Sequence, residues 1–318
     1  MSGSSAYPSR AAIVATAGGT IARGSKSFAA ASRLFDRTTR ERAWLLYAWC
    51  RACDDIADGQ TLGHDMRGVE DGAARLELIR TATQQALAGK VVGDPSFDAL
   101  RIVAAETALP HRFVRDLVEG FALDARDWRP RSEDDLLTYC YHVAGAVGCM
   151  MAVVMGVDPA DEETLDRACD LGLAFQLANI ARDIEEDDRA GRCYLPVEWL
   201  VEMDIAPGQH MKPWHRSRVT VLARRLAAMA QEYADSAKAG VAKLPFRSAW
   251  AVLAAADIYG GIARKVAAAG DHAWDHRVRT SSLEKLRAIA GAFSNARHRE
   301  KFAALPERSD ALWQRPRS

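Results

Sequence analysis

Two stretches carry residues whose types and spacing could do chemistry. The first is Tyr47-Ala-Trp-Cys-Arg51-Ala-Cys-Asp54-Asp-Ile-Ala-Asp58. On a helix, Asp54 and Asp58 stand at i and i+4 and leave the same face, with Arg51 and Tyr47 on or beside it. Carboxylates one turn apart repel each other, which a chain tolerates when they are solvated or when a hard cation sits between them. The second stretch is Gln176-Leu-Ala-Asn179-Ile-Ala-Arg182-Asp183-Ile-Glu-Glu-Asp187, where Asn179, Asp183 and Asp187 recur at i, i+4 and i+8. This second copy favours the cation, with the clusters on two helices facing one cavity.

Carboxylates plus a neutral amide, with no His in either cluster, suit Mg²⁺ or Mn²⁺ rather than zinc. Mg²⁺ keeps waters and completes its shell with substrate phosphates. The expected ligand is therefore a di- or triphosphate, bridged by metal to both clusters, with Arg51, Arg182, Arg189 and Arg192 as nearby cations. A kinase or nucleotide hydrolase would also need a phosphate-cradling glycine loop. Gly19 to Ser27 nearly spells one, but the spacing is wrong and no apolar strand feeds it.

The remainder of the chain offers a long apolar interior, in which Gly145, Gly148 and Gly156 are expected to leave space beside the helix over 133–157. A diphosphate on a long hydrocarbon uses both features. Ionising an allylic diphosphate requires the leaving group to be neutralised. The resulting carbocation requires a dry pocket and π faces, for which Tyr47, Tyr139, Phe175 and Tyr259 are candidates.

The elements that must position these residues read as helices almost throughout. Leucine and alanine recur at three- and four-residue spacing through 28–35, 39–58, 70–89, 96–108, 111–126, 133–155, 160–188, 216–243, 247–269 and 282–302. Gly or Pro marks the breaks, and Ser132 and Ser282 are candidate N-caps. No stretch alternates at period two. One all-α domain follows, with a flexible N-terminus over 1–18, the domain over 19–303 and a loose charged tail over 304–318.

Composition narrows the partners. Lys+Arg and Asp+Glu are 42 each in 318 residues, so no global field argues for nucleic acid. The six cysteines are scattered, and Cys50-x-x-Cys53 has no second ligand pair, so reduced thiols of a cytosolic protein are expected. The uncharged run Val143–Val157 spans about 22 Å as a helix, short of a ~30 Å hydrocarbon core, and reads as a core helix.

Several motifs are long enough to be specific. Ser25-Lys-Ser-Phe28, Tyr47 to Arg51, Asp54 to Asp58, Tyr139-Cys-Tyr-His-Val-Ala-Gly145 through Gly148, Gln176 to Asp183 and Arg192-Cys-Tyr-Leu-Pro196 together resemble the squalene/phytoene synthase family, in order, over roughly residues 19–300. The resemblance implies the all-α isoprenoid synthase fold, with helices around a central apolar cavity. It also implies a metal-dependent prenyltransferase that condenses two allylic diphosphates head to head. The likeness is strongest to members that join two geranylgeranyl diphosphates through prephytoene diphosphate to phytoene in carotenoid biosynthesis. The alternative is a squalene or dehydrosqualene synthase acting on farnesyl diphosphate.

By the same resemblance, Asp54, Asp58, Asn179, Asp183 and Asp187 hold metal, and Arg51, Arg182 and Tyr259 hold or face diphosphate. Arg277 and Lys285 are further diphosphate candidates. Ser25 and Phe28 stand at the mouth, while Tyr139, Val143, Gly148 and Gln176 line the tunnel. Tyr47 and Arg51 complete the catalytic set with the aspartates. No NADPH requirement is expected. Position 24 is Gly where some relatives have His, so no metal or proton role is drawn from it. Lipid-partitioning substrates point to a cytoplasmic protein with peripheral contact on the inner membrane face.

Overall fold

The long helix α9 (Glu162–Arg189) is the axis of the molecule, and the computed structural model describes residues 7–58, 72–126 and 128–317 around it, without the side chains of Lys26, Ser27 and Asp58. About 75% of the protein is helical, and no strand occurs among the described residues. The other helices, in order, are α1 (Arg10–Gly24), α2 (Lys26–Ser32), α3 (Arg37–Asp58), α4 (Gly72–Leu87), α5 (Pro95–Thr107), α6 (His111–Asp124), α7 (Glu133–Cys140), α8 (Ala146–Val154), α10 (Val197–Glu202), α11 (Arg216–Ala237), α12 (Phe246–Ala269) and α13 (Ser282–Arg297). Short 3₁₀ turns follow α11 at Lys238–Lys243 and α13 at Arg299–Ala304.

Local chemistry sets the ends. Ser132 and Asp135 form a reciprocal capping box at α7. A second box uses Ser281 and Glu284, so α13 is capped one residue earlier than Ser282. α9 packs on α8, α11 and α12, and carries Leu165, Leu173, Leu177 and Ile184 into the core. Burying such a side chain contributes roughly 1.5–3 kcal/mol.

Tyr141–Gly145 between α7 and α8 is a π turn, which makes the run from Glu133 to Val154 nearly continuous. That run is long and apolar enough by composition to cross a membrane, because it begins ahead of the uncharged stretch at Val143. Here 61% of its most apolar window is buried within the protein, against α6 and α9 among others.

Three expectations change. The N-terminal 18 residues are not loose throughout: α1 starts at Arg10, is capped by Ser9, and buries Ile13, Val14 and Ala17. The C-terminal tail is likewise tied down. Arg308 makes two hydrogen bonds to the buried Asp170, at 2.8 and 2.9 Å, and Arg315 pairs with Glu162 and Asp166. Finally, the glycines between α8 and α9 do more than leave space. A Cβ on Gly148 would lie 2.3 Å from the Ala168 carbonyl oxygen, and one on Gly172 would lie 2.3 Å from that of Ala144. The two backbones touch there, and Gly156, at φ +97°, follows the end of α8.

Candidate active site

Two chambers open on either side of a shared wall. The apolar one, about 410 Å³, is lined by α2, α3, α8, α9 and α12, with Phe35, Leu46, Met151, Phe175 and Tyr259 among its residues. The polar one, also about 410 Å³, is lined by Asp54, Asp124, Tyr139, Asp183, Asp187, Arg192 and Tyr194. Tyr47, Arg51, Val143, Gln176 and Asn179 line both. An acidic, cation-flanked recess therefore adjoins a hydrocarbon-lined one.

The helical spacing read from the sequence does bring the clusters together. α3 delivers Tyr47, Arg51 and Asp54, and α9 delivers Gln176, Asn179, Asp183 and Asp187. Asp58 closes α3, but its side chain lies outside the described residues. Arg51 Nη1 donates to Asp54 at 2.5 Å, and its guanidinium lies over the Tyr47 ring, 6.0 Å from the centroid. Arg182 folds back onto its neighbour Asp183, with Nε 2.7 Å from Oδ1.

Asp187 is a strongly perturbed acid. Burial pushes its carboxyl up to about 7, and the charge of Asp183 adds to this while Arg192 opposes it. A divalent cation relieves such a pair. The donor set of Asp54, Asp183, Asp187 and the Asn179 amide is all hard oxygen and fits Mg²⁺ or Mn²⁺. Among the described residues no three His, Cys, Asp or Glu side chains are already gathered around one point. A ligand with its own oxygens is what would complete a shell between the two helices.

Aromatic rings face both chambers. Phe28 stacks on Tyr47 at 5.5 Å, and Phe175 on Tyr259 at 4.1 Å. Ser25 lines the apolar chamber, while its Oγ accepts the Phe28 N–H at 3.2 Å and caps α2. Gly148 lines the same chamber.

Other residues fall elsewhere than expected. Tyr139 lines the polar chamber, not the apolar tunnel: its ring stacks between Trp128 and Tyr194, and its hydroxyl donates to Asp124 at 3.1 Å. Arg277 lines neither chamber itself but pairs with Asp183 of the polar one at 3.1 Å and with Glu186 at 2.5 Å. Lys285, half-buried on α13, lines neither chamber. Cys50 and Cys53 are free thiols.

Asp124 is the residue the sequence did not announce. It ends α6, lines the polar chamber, and accepts hydrogen bonds from both Tyr139 and Tyr194. Burial, then the Asp124 charge, holds the Tyr139 phenol well above its ordinary range, so it stays protonated.

The model of the squalene/phytoene synthase family matches residues 21–284. The chain belongs to that family. Within the family, the chain is 48% identical over 299 residues to the 15-cis-phytoene synthase of Pantoea ananas, covering 93% of this chain and 96% of the relative. It is 44% identical over 307 residues to the 15-cis-phytoene synthase of a Paracoccus strain, covering 96% and 98%. Its fold superposes on a crystal structure of a ligand-bound dehydrosqualene synthase with a TM-score of 0.81 and 26% identity, over 91% of this chain and 98% of the other. A squalene synthase from Alicyclobacillus acidocaldarius shares the fold, with a TM-score of 0.69 and 23% identity over 82% and 94%.

Proposed function

We propose that the protein is a phytoene synthase, joining two geranylgeranyl diphosphates head to head through prephytoene diphosphate. Two diphosphates and two protons leave for each phytoene formed, one of each in making prephytoene diphosphate and one of each in converting it to phytoene. The observation that carries this reading is that the acidic chamber and the apolar one lie side by side and share Arg51 and Asn179 in their linings. Bacterial phytoene synthases at 44–48% identity over nearly the whole chain support geranylgeranyl over farnesyl diphosphate.

Asp54, Asp58, Asn179, Asp183 and Asp187 are the residues that would hold Mg²⁺ or Mn²⁺. A metal held there would supply Lewis-acid charge to neutralise the diphosphate leaving group. Arg51 and Arg192 add positive charge on the chamber wall. Asp124 fixes the Tyr139 and Tyr194 hydroxyls. The prenyl chains lie in the apolar chamber, which excludes water from the cation, and the Phe28–Tyr47 and Phe175–Tyr259 stacks present π faces to it. No NADPH is required in this reading. The protein acts in the cytoplasm, meeting its lipid-partitioned substrate at the inner membrane face.

Incubating purified protein with geranylgeranyl diphosphate and Mg²⁺ or Mn²⁺, without NADPH, should yield a C40 hydrocarbon and lose activity in EDTA. Absence of that hydrocarbon would overturn the reading, and turnover undiminished by EDTA would overturn the metal assignment.

A further inference from the structure

The apolar chamber has a definite far end, and its chemistry differs from that of its walls. Along α9 the lining runs from Asn179 back to Thr164, about 22 Å at 1.5 Å per residue. At that end stand Thr164, Arg167, Ala237, Gly240, Val241 and Leu244. Arg167 is the one arginine there, and it is only 5% exposed.

Its guanidinium is committed elsewhere. Nη1 donates to the Ser236 carbonyl at 3.0 Å and to its hydroxyl at 2.9 Å, and Nη2 donates to the Pro306 carbonyl at 3.0 Å. Nε is buried without a hydrogen-bond partner among the described residues. Ser236 Oγ in turn donates to Asp170 at 2.6 Å, and Arg308 clamps the same carboxylate from the C-terminal segment. Gly240 presses on the Arg167 stem so closely that a Cβ there would lie 2.8 Å from that of Arg167.

The walls of Met, Leu, Val and Phe yield by changing rotamer. The floor does not, because moving Arg167 strands a buried charge or its partners. A prenyl chain one isoprene unit too long would have to break this network. We propose that Arg167, fixed by Ser236 and by the C-terminal segment through Pro306, is the positioning residue that sets the chamber's depth and so the longest prenyl chain turned over. The inference rests on the preceding reading of the chamber as the site of the prenyl chains.

The test is kcat/KM of the full-length protein for farnesyl, geranylgeranyl and geranylfarnesyl diphosphates (C15, C20 and C25). Wild type should use C20 and reject C25. Arg167→Ala should raise the C25/C20 ratio at least about tenfold, the scale of discrimination an apolar pocket gives. Because removing a buried cation can unfold the chain, Ala237→Phe provides the opposite probe, raising C15/C20 by a similar factor. Arg308→Gln, outside the chamber, should move C25/C20 in the direction of Arg167→Ala. A purely structural defect would instead lower all three substrates together.

Wild-type ratios in both Ala237→Phe and folded Arg167→Ala, or wild-type use of C25 as readily as C20, would overturn the floor. A wild type that turns over none of the three would overturn the function itself.

Discussion

Gly24 and Tyr47 are packed so closely that a Cβ on the glycine would lie 2.6 Å from the Tyr47 hydroxyl oxygen. Gly24 is the last residue of α1, and Tyr47 lies at the junction of the two chambers, stacked on Phe28 and beneath Arg51. Any side chain at position 24 must displace the phenol. Since the obstacle is the far end of a side chain, the fold survives and the site bears the cost. Gly24→Ala should keep the wild-type circular dichroism spectrum while kcat/KM falls about tenfold, roughly 1.4 kcal/mol of transition-state binding. Unchanged kinetics would mean that the Tyr47 position is immaterial.

The acidic clusters give a second prediction. Asp54→Ala and Asp183→Ala should each lower turnover more than about a hundredfold, beyond what loss of a supporting contact costs at a metal site. Glu185, paired with Arg189 at 2.6 Å on the outer side of the same helix, is the control: Glu185→Ala should stay within about twofold. Product formation measured at saturating Mg²⁺ decides, and near-wild-type Asp183→Ala would remove α9 from the metal site.

The contact of the Tyr141–Gly145 π turn with α9 predicts a stability effect separate from chemistry. Gly172→Ala places a methyl 2.3 Å from the Ala144 carbonyl oxygen and 2.7 Å from the Gly145 Cα, both backbone atoms. Overpacking of this kind costs about 1–3 kcal/mol. Urea unfolding should show a lowered midpoint, and a wild-type midpoint would show that the helices separate freely.

Glu162 predicts a pH effect on stability. Burial raises its carboxyl, but hydrogen bonds from Arg112 and Arg315 outweigh that and bring it to about 2, from an ordinary 4.5. A carboxyl held lower in the folded state contributes stability that is complete above about 4.5 and fades as pH falls toward 2. Because the side chain is 39% exposed, solvent screens much of the effect. Thermal melts from pH 6 to 3 should fall less steeply for Glu162→Gln than for wild type. Parallel curves would show that the pairs contribute nothing.

What was legible in the sequence follows from the range of the interactions. Asp54 and Asp183 could be read because an i, i+4 repeat is local, and the helical period itself says that such side chains share a face. Asp124 could not: it stands alone at the end of α6, and only the tertiary approach of Tyr139 and Tyr194 gives it a place. The same holds for Arg308 and Arg315, whose proline-flanked charged tail reads as solvated until Asp170 and Glu162 of α9 are beside it. Gly148 and Gly172 were visible as glycines, but not as the surface where two backbones meet. Tyr139 was expected to line the tunnel from the family resemblance, whereas in the structure Asp124 captures its hydroxyl and it lines the polar chamber.

The most direct measurement offers equal concentrations of farnesyl and geranylgeranyl diphosphate to the purified protein in one vessel with Mg²⁺ and no NADPH, and analyses the extracted hydrocarbons. The proposed function, supported by the likeness to bacterial phytoene synthases, predicts a C40 product, formed from two geranylgeranyl units. Product drawn only from farnesyl diphosphate, a C30 hydrocarbon, would contradict that prediction.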